Sequence, residues 1–157
     1  MRTLLLAATV CVFGCSGAEP GPRAGTPAAP ASKSADSVIP FETGFVLDKS
    51  GAADSVTIDE VKGDREGFVA DGTYAVRGHY ELRSATEALL AVYVTNGRTD
   101  EDAKGQIRVV QGTGTFELRF KILAPGYPHV TFYPEGGGAG FAGTYFGSGV
   151  SVMHDGW

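Results

Sequence analysis

The sequence predicts an all-β domain, an antiparallel β-sandwich of about seven to nine strands with an open β-barrel as the alternative. Three observations carry that prediction. The hydrophobic pattern of residues 38–157 has a period of two almost throughout, Gly or Pro stands in nearly every gap, and no segment has a convincing helical pattern. Seven or more short strands at this spacing are the signature of a sandwich or barrel.

In chain order, Val56, Ile58 and Val61 nearly alternate with Thr57 and Asp59. Tyr74, Val76, Tyr80 and Leu82 alternate with Arg77, His79, Glu81 and Arg83, and Phe116, Leu118, Phe120 and Ile122 with Glu117, Arg119 and Lys121. Each is the pattern of a half-buried strand, one face in the core and one in water. Ala88 to Val94 is apolar on both faces, as a central strand would be, and its β-rich continuation through Val92, Tyr93, Val94 and Thr95 outweighs the helical look of Glu87, Ala88 and Leu89. Ile107 to Val110 and His129 to Tyr133 add two shorter strands. Gly63, Gly67, Gly72, Asn96-Gly97, Gly112, Gly114 and Pro125-Gly126 are read as the breaks between them.

The tail is glycine-rich, with seven glycines in the fourteen residues 136–149, interleaved with Phe141, Tyr145 and Phe146. Gly138, Gly140 and Gly143 match the dinucleotide spacing G-x-G-x-x-G, but no helix follows to receive a pyrophosphate. The segment is expected to be a bulged or bent edge strand with tight turns, the alternative being a loop that presents aromatics to a ligand.

Residues 16–37 hold four Pro, three Gly, six Ala and four Ser, and no aliphatic side chain larger than Ala. Such a segment buries too little surface to offset its ordering entropy and is expected to be a tether, with a root-mean-square reach of roughly 25 Å and a maximum near ~70 Å. The domain behind it carries ten Lys and Arg against sixteen Asp and Glu, a formal charge of −6. That balance disfavours nucleic acid and anionic lipid surfaces as partners.

At the N-terminus, Arg2 precedes a ten-residue apolar run, Leu4 to Phe13, too short to span a bilayer and right for a secretory signal. The run closes with Val12-Phe13-Gly14-Cys15, which resembles the lipobox of bacterial lipoproteins. The resemblance implies a signal peptide over residues 1–14, cleavage after Gly14, acyl chains on the Cys15 sulfur and a lipid-anchored N-terminus that opens the linker 15–37. Two or three chains at about 0.8 kcal/mol per buried methylene hold a protein at a bilayer far better than one. It implies localisation to the bacterial cell envelope, with the outer membrane favoured where there is one, because Ser16 is not the Asp that retains enteric lipoproteins at the inner membrane. Cys11 lies in the signal and Cys15 takes the lipid, so the domain 38–157 has no thiol for a disulfide, a metal or a nucleophile. The immunoglobulin-like superfold is an architectural analogy alone, since its disulfide and core tryptophan are missing.

Candidate chemistry is sparse. Asp100, Asp102, Gly105 and Ile107 fall at positions one, three, six and eight of a calcium loop of the EF-hand type, but Lys104 and Gln111 occupy two ligand positions, so a solvated loop and no cofactor are expected, with calcium as the alternative. His129 and His154 could reach a transition metal only by tertiary convergence with Asp155 or Met153. Ser148 stands between Gly147 and Gly149, but Phe146 and Val150 occupy the glycine positions of a G-x-S-x-G nucleophile elbow, and Asp59, Glu81 and Glu117 point outward from their strands, so no enzyme is expected. Three classes follow: an envelope-anchored, non-catalytic module that binds or scaffolds an envelope protein, a glycan-binding sandwich stacking sugars on Tyr127, Tyr133, Tyr145, Phe146 or Trp157, and a calcium or transition-metal binding module.

Overall fold

The structure, a computed structural model, describes residues 37–100 and 105–149. It is all-β and antiparallel, with no α-helix among the described residues. Seven strands follow in order: β1 (Ser37–Val38), β2 (Glu42–Asp48), β3 (Ser55–Gly63), β4 (Thr73–Thr95), β5 (Gln106–Lys121), β6 (Tyr127–Tyr133) and β7 (Ala142–Gly147). They form one sheet in the order β1-β3-β4-β6-β7-β2, with β5 on the far side of β4. The sheet curls into a half-barrel, so that its two halves face each other as the layers of a sandwich do while remaining hydrogen-bonded through β4.

β4 is the spine. Its first half pairs β3 from Tyr74 to Glu81, its second half pairs β6 from Leu89 to Thr95, and β5 follows the opposite edge. The two patterns read as separate strands, 74–82 and 88–94, are therefore one 23-residue strand, and Ile107–Val110 joins Phe116–Lys121 in β5. The break expected at Gly112 and Gly114 becomes a bend. Between Leu82↔Gly112 and Glu87↔Val110 the four residues 83–86 of β4 stand opposite the single Gln111, a bulge that bends both strands together. Gly112, at φ 117°, supplies the backbone conformation that the bend needs. Asp54 holds it from the side. Its Oδ1 accepts the amides of Arg83 (2.6 Å) and Ser84 (3.0 Å), and its Oδ2 accepts the Ser84 hydroxyl. Burial, with Asp54 only 4% exposed, works to raise this carboxyl's pKa, yet the Ser84 and Arg83 hydrogen bonds together hold it below the usual range.

The inner face of the curl is the core. Val76, Leu82, Leu90 and Val92 of β4 meet Val61 of β3, Leu118 of β5, Val130 and Phe132 of β6 and Phe146 of β7, all almost fully buried. Phe68 stacks on Tyr74 (5.5 Å) and meets Phe146 edge-on (5.5 Å), and Phe120 joins both Tyr74 and Phe146. The Thr144 hydroxyl donates to the Val56 carbonyl at 2.6 Å, tying β7 to β3 across the curl.

The glycine-rich tail departs from expectation. β7 is an interior strand, paired with β6 on one side and β2 on the other, and every residue in it is buried. It lies inside because β2, whose own alternation is weak, covers its second edge. Gly143 has a packing reason: a Cβ there would overlap the Thr131 hydroxyl and the Val130 carbonyl oxygen and lie 2.7 Å from the Thr131 Cα.

Candidate functional site

The outer face of the β4-β6-β7-β2 half carries an open cleft. Strand alternation puts Tyr127, His129, Thr131 and Tyr133 of β6 on that face, and Val130 and Phe132 in the core. Register then builds two rows across the strands. Tyr93, His129 and Tyr145 are successive cross-strand partners, and so are Ala91, Thr131, Gly143 and Leu47. The first row is aromatic. The second is small in its middle, so the surface dips there into a cavity of about 320 Å³ lined by Phe45, Leu47, Lys49, His129, Thr131, Tyr133, Gly140 and Tyr145. That volume is at the low end of small-molecule sites.

His129, Thr95, Tyr133 and Tyr145 are joined along the cleft by hydrogen bonds. His129 Nδ1 lies 3.4 Å from both the Tyr127 carbonyl oxygen and the Thr95 hydroxyl, and its Nε2 lies 3.2 Å from the Tyr133 hydroxyl. A carbonyl only accepts, so Nδ1 is assigned the proton and Nε2 accepts from Tyr133. Thr95 and Tyr145 exchange a further hydrogen bond of 2.9 Å. Burial pushes the His129 pKa down from 6.5 to about 4, against the smaller effect of the Tyr127 carbonyl, so the imidazole is neutral near pH 7. Burial foremost, with Tyr93 and Tyr145 beside it, pushes the Tyr133 pKa up. The rings pack at angles: Tyr93 meets Tyr133 at 82°, Tyr145 tilts 35° from His129, and Phe45 tilts 44° from Tyr145. Lys49 is the one charged side chain in the lining. It makes no ion pair with a described residue.

Of the residues singled out in the sequence, His129, Tyr133 and Tyr145 converge on this cleft, and the first residue of β6, Tyr127, adjoins it through its carbonyl. Phe146 does not. It is 0% exposed, between Phe68 and Phe120, because it is one residue past the outward-facing Tyr145 on β7 and so points to the opposite face, and it is a core residue rather than a sugar platform. Asp100 is exposed and donates its amide to the Lys121 carbonyl, and residues 106–111, the second half of the calcium spacing, run straight as β5 instead of wrapping. Among the described residues no three His, Cys, Asp or Glu gather as metal ligands would. Cys15, Asp102, His154 and Trp157 lie outside the described residues. Asp59, Glu81 and Glu117 do point outward, and they pair with His79, Arg83 and Arg77. The Arg77 hydrogen bond holds the Glu117 carboxyl below its ordinary range.

Sequence reasoning passed over Phe45, Leu47, Lys49, Tyr93, Thr95 and Thr131. The odd-numbered run His129, Thr131, Tyr133 was the available signal, since it puts a second semi-polar row on a strand that otherwise reads as apolar. Compared with family models, with curated proteins and with solved structures, the chain finds no match.

Proposed function

We propose that this chain is a non-catalytic binding module of the bacterial envelope, anchored through lipidated Cys15, and that the β4-β6-β7-β2 cleft is its recognition site. One observation carries the choice of site: a concave, largely apolar depression on a sheet face whose imidazole and whose Thr95, Tyr133 and Tyr145 hydroxyls are already bonded among themselves. Groups so occupied favour recognition by shape and apolar contact over proton transfer. They also argue against a sugar, whose hydroxyls need free partners, and the mutually tilted rings offer no flat stacking platform. The tether and the thiol-free β-domain suit a module held at a membrane surface, with an apolar compound or a segment of an envelope protein as its partner.

The site is tested with the full-length Cys15→Ser protein and the neutral apolar dye N-phenyl-1-naphthylamine. Saturable fluorescence enhancement is expected in the parent, and its loss in Leu47→Glu, with near-UV circular dichroism unchanged. Equal enhancement in both proteins refutes the cleft. The anchor is tested by metabolic labelling with an alkynyl fatty acid, which is expected to mark Cys15 and to leave Cys15→Ser unlabelled and in the soluble fraction. An unlabelled parent refutes the anchor.

A further inference from the structure

Resting on the reading of the cleft as a recognition site, we propose that its ligand is a small apolar carboxylate, an aryl or medium-chain alkyl acid whose charge is held by Lys49. The lining has one cation and no carboxylate. That is unusual on a domain of formal charge −6 whose other cations are largely paired on the surface, Lys62 with Glu60, Arg77 with Glu117, Arg83 with Glu81, and Arg108 with Glu135. Asp48, the nearest acid along the chain, turns one carboxylate oxygen to its own turn and makes no ion pair with Lys49. Its Oδ1 accepts the amides of Ser50 and Gly51 (both 3.1 Å) and the Ser50 hydroxyl (2.8 Å). Among the described residues the ammonium of Lys49 thus has no carboxylate partner, and it stands exposed at the cleft, where a bound carboxylate can reach it.

The body of the ligand follows from the floor and walls. Phe45 and Leu47 offer apolar surface from β2, and Tyr133 and Tyr145 offer ring surface from β6 and β7. Thr131, Gly140 and Gly143 keep the floor low. A Cβ on Gly140 would fall 2.5 Å from the Thr131 methyl and 3.3 Å from the Tyr133 ring, so side chains larger than hydrogen at this position close the space between loop and strand. A polyhydroxylated body would surrender water hydrogen bonds to groups already bonded to one another, and a cationic one would meet Lys49. An apolar body with one terminal negative charge meets neither cost.

The experiment is displacement of N-phenyl-1-naphthylamine from full-length Cys15→Ser protein by decanoate, 1-decanol and decylamine. Decanoate is expected to bind about five- to tenfold tighter than decanol, the range that one charge-assisted contact at a partly exposed site supplies, and decylamine weaker than both. Lys49→Gln should abolish the difference between decanoate and decanol, Lys49→Arg should keep it, and Lys49→Glu should invert it in favour of decylamine. Equal affinity for decanoate and decanol in the parent, or a decanoate preference that survives Lys49→Gln, overturns the carboxylate assignment while dye binding leaves the cleft standing. Absence of dye binding overturns the cleft and the carboxylate together.

Discussion

His129 couples this domain's stability to pH in a window where its other shifted groups are silent. The side chain is 8% exposed, packed against Tyr145 at a centroid distance of 4.7 Å, with no charged described residue bonded to it. Tyr93 of β4, Tyr133 of β6 and Tyr145 of β7 face it, and Lys49 stands on the same cleft. Its pKa is lowered in the fold, from 6.5 to about 4, so between those values the unfolded chain binds the proton that the folded one refuses. Stability is accordingly full above pH 6.5 and falls as the pH drops towards 4. With about 1.4 kcal/mol for each pH unit of that gap, the whole effect is about 3 kcal/mol, and between pH 7 and pH 5 it is about 2 kcal/mol. The depressed carboxyls of Asp54 and Glu117, from ordinary values of 3.8 and 4.5, withdraw their stabilisation only at lower pH. Urea unfolding of the parent and of His129→Gln at pH 7, 6 and 5 isolates the effect, since all other titrations cancel in the difference. The parent should lose about 2 kcal/mol more than the variant over this range. Parallel pH profiles would refute the desolvated, neutral imidazole on which the cleft's electrostatics rest.

Asp54→Ala should cost about 2–4 kcal/mol in urea unfolding, because it strands the Arg83 and Ser84 amides at the bend of β4, with Asp54→Asn recovering part of the loss; a cost under ~1 kcal/mol would mean the bend is held by its strands alone. Gly143→Ala should destabilise by about 1–3 kcal/mol through overlap with the Val130 carbonyl, read in the same assay, and a neutral result would show that β6 and β7 can separate there. Phe146→Ala should cost about 3–5 kcal/mol and leave the dye affinity of the folded fraction unchanged, whereas lost affinity at undiminished stability would return Phe146 to the binding surface.

The strands from residue 55 onward were legible because their pattern is written by the inside and outside of a curled sheet. Val56, Val76, Leu118 and Phe120 are buried where the alternation puts them, and the two-sided apolarity of Ala88 to Val94 does mark a strand with neighbours on both edges. The bend was not legible, because Gly112 and Gly114 look the same in sequence whether they end a strand or let it turn, and the Asp54 carboxylate that grips the bend lies about thirty residues before the Arg83 and Ser84 amides it accepts. β2 was missed for a related reason. Phe45 and Leu47 face a shallow cleft and Val46 is exposed, so neither face of the strand carries a sharp contrast.

Residue order alone therefore determined the class of the domain and the thiol-free chemistry of its core, since hydrophobic period and cysteine position are properties of the chain. Tertiary structure decided which aromatics are spare. Tyr145 and Phe146 are neighbours in sequence, yet one lines a cleft and the other fills the core, because successive side chains leave opposite faces of β7 and its burial on both edges depends on β2 and β6. The cleft likewise exists only through register, which sets Ala91, Thr131, Gly143 and Leu47 in one row from four strands that are far apart along the chain.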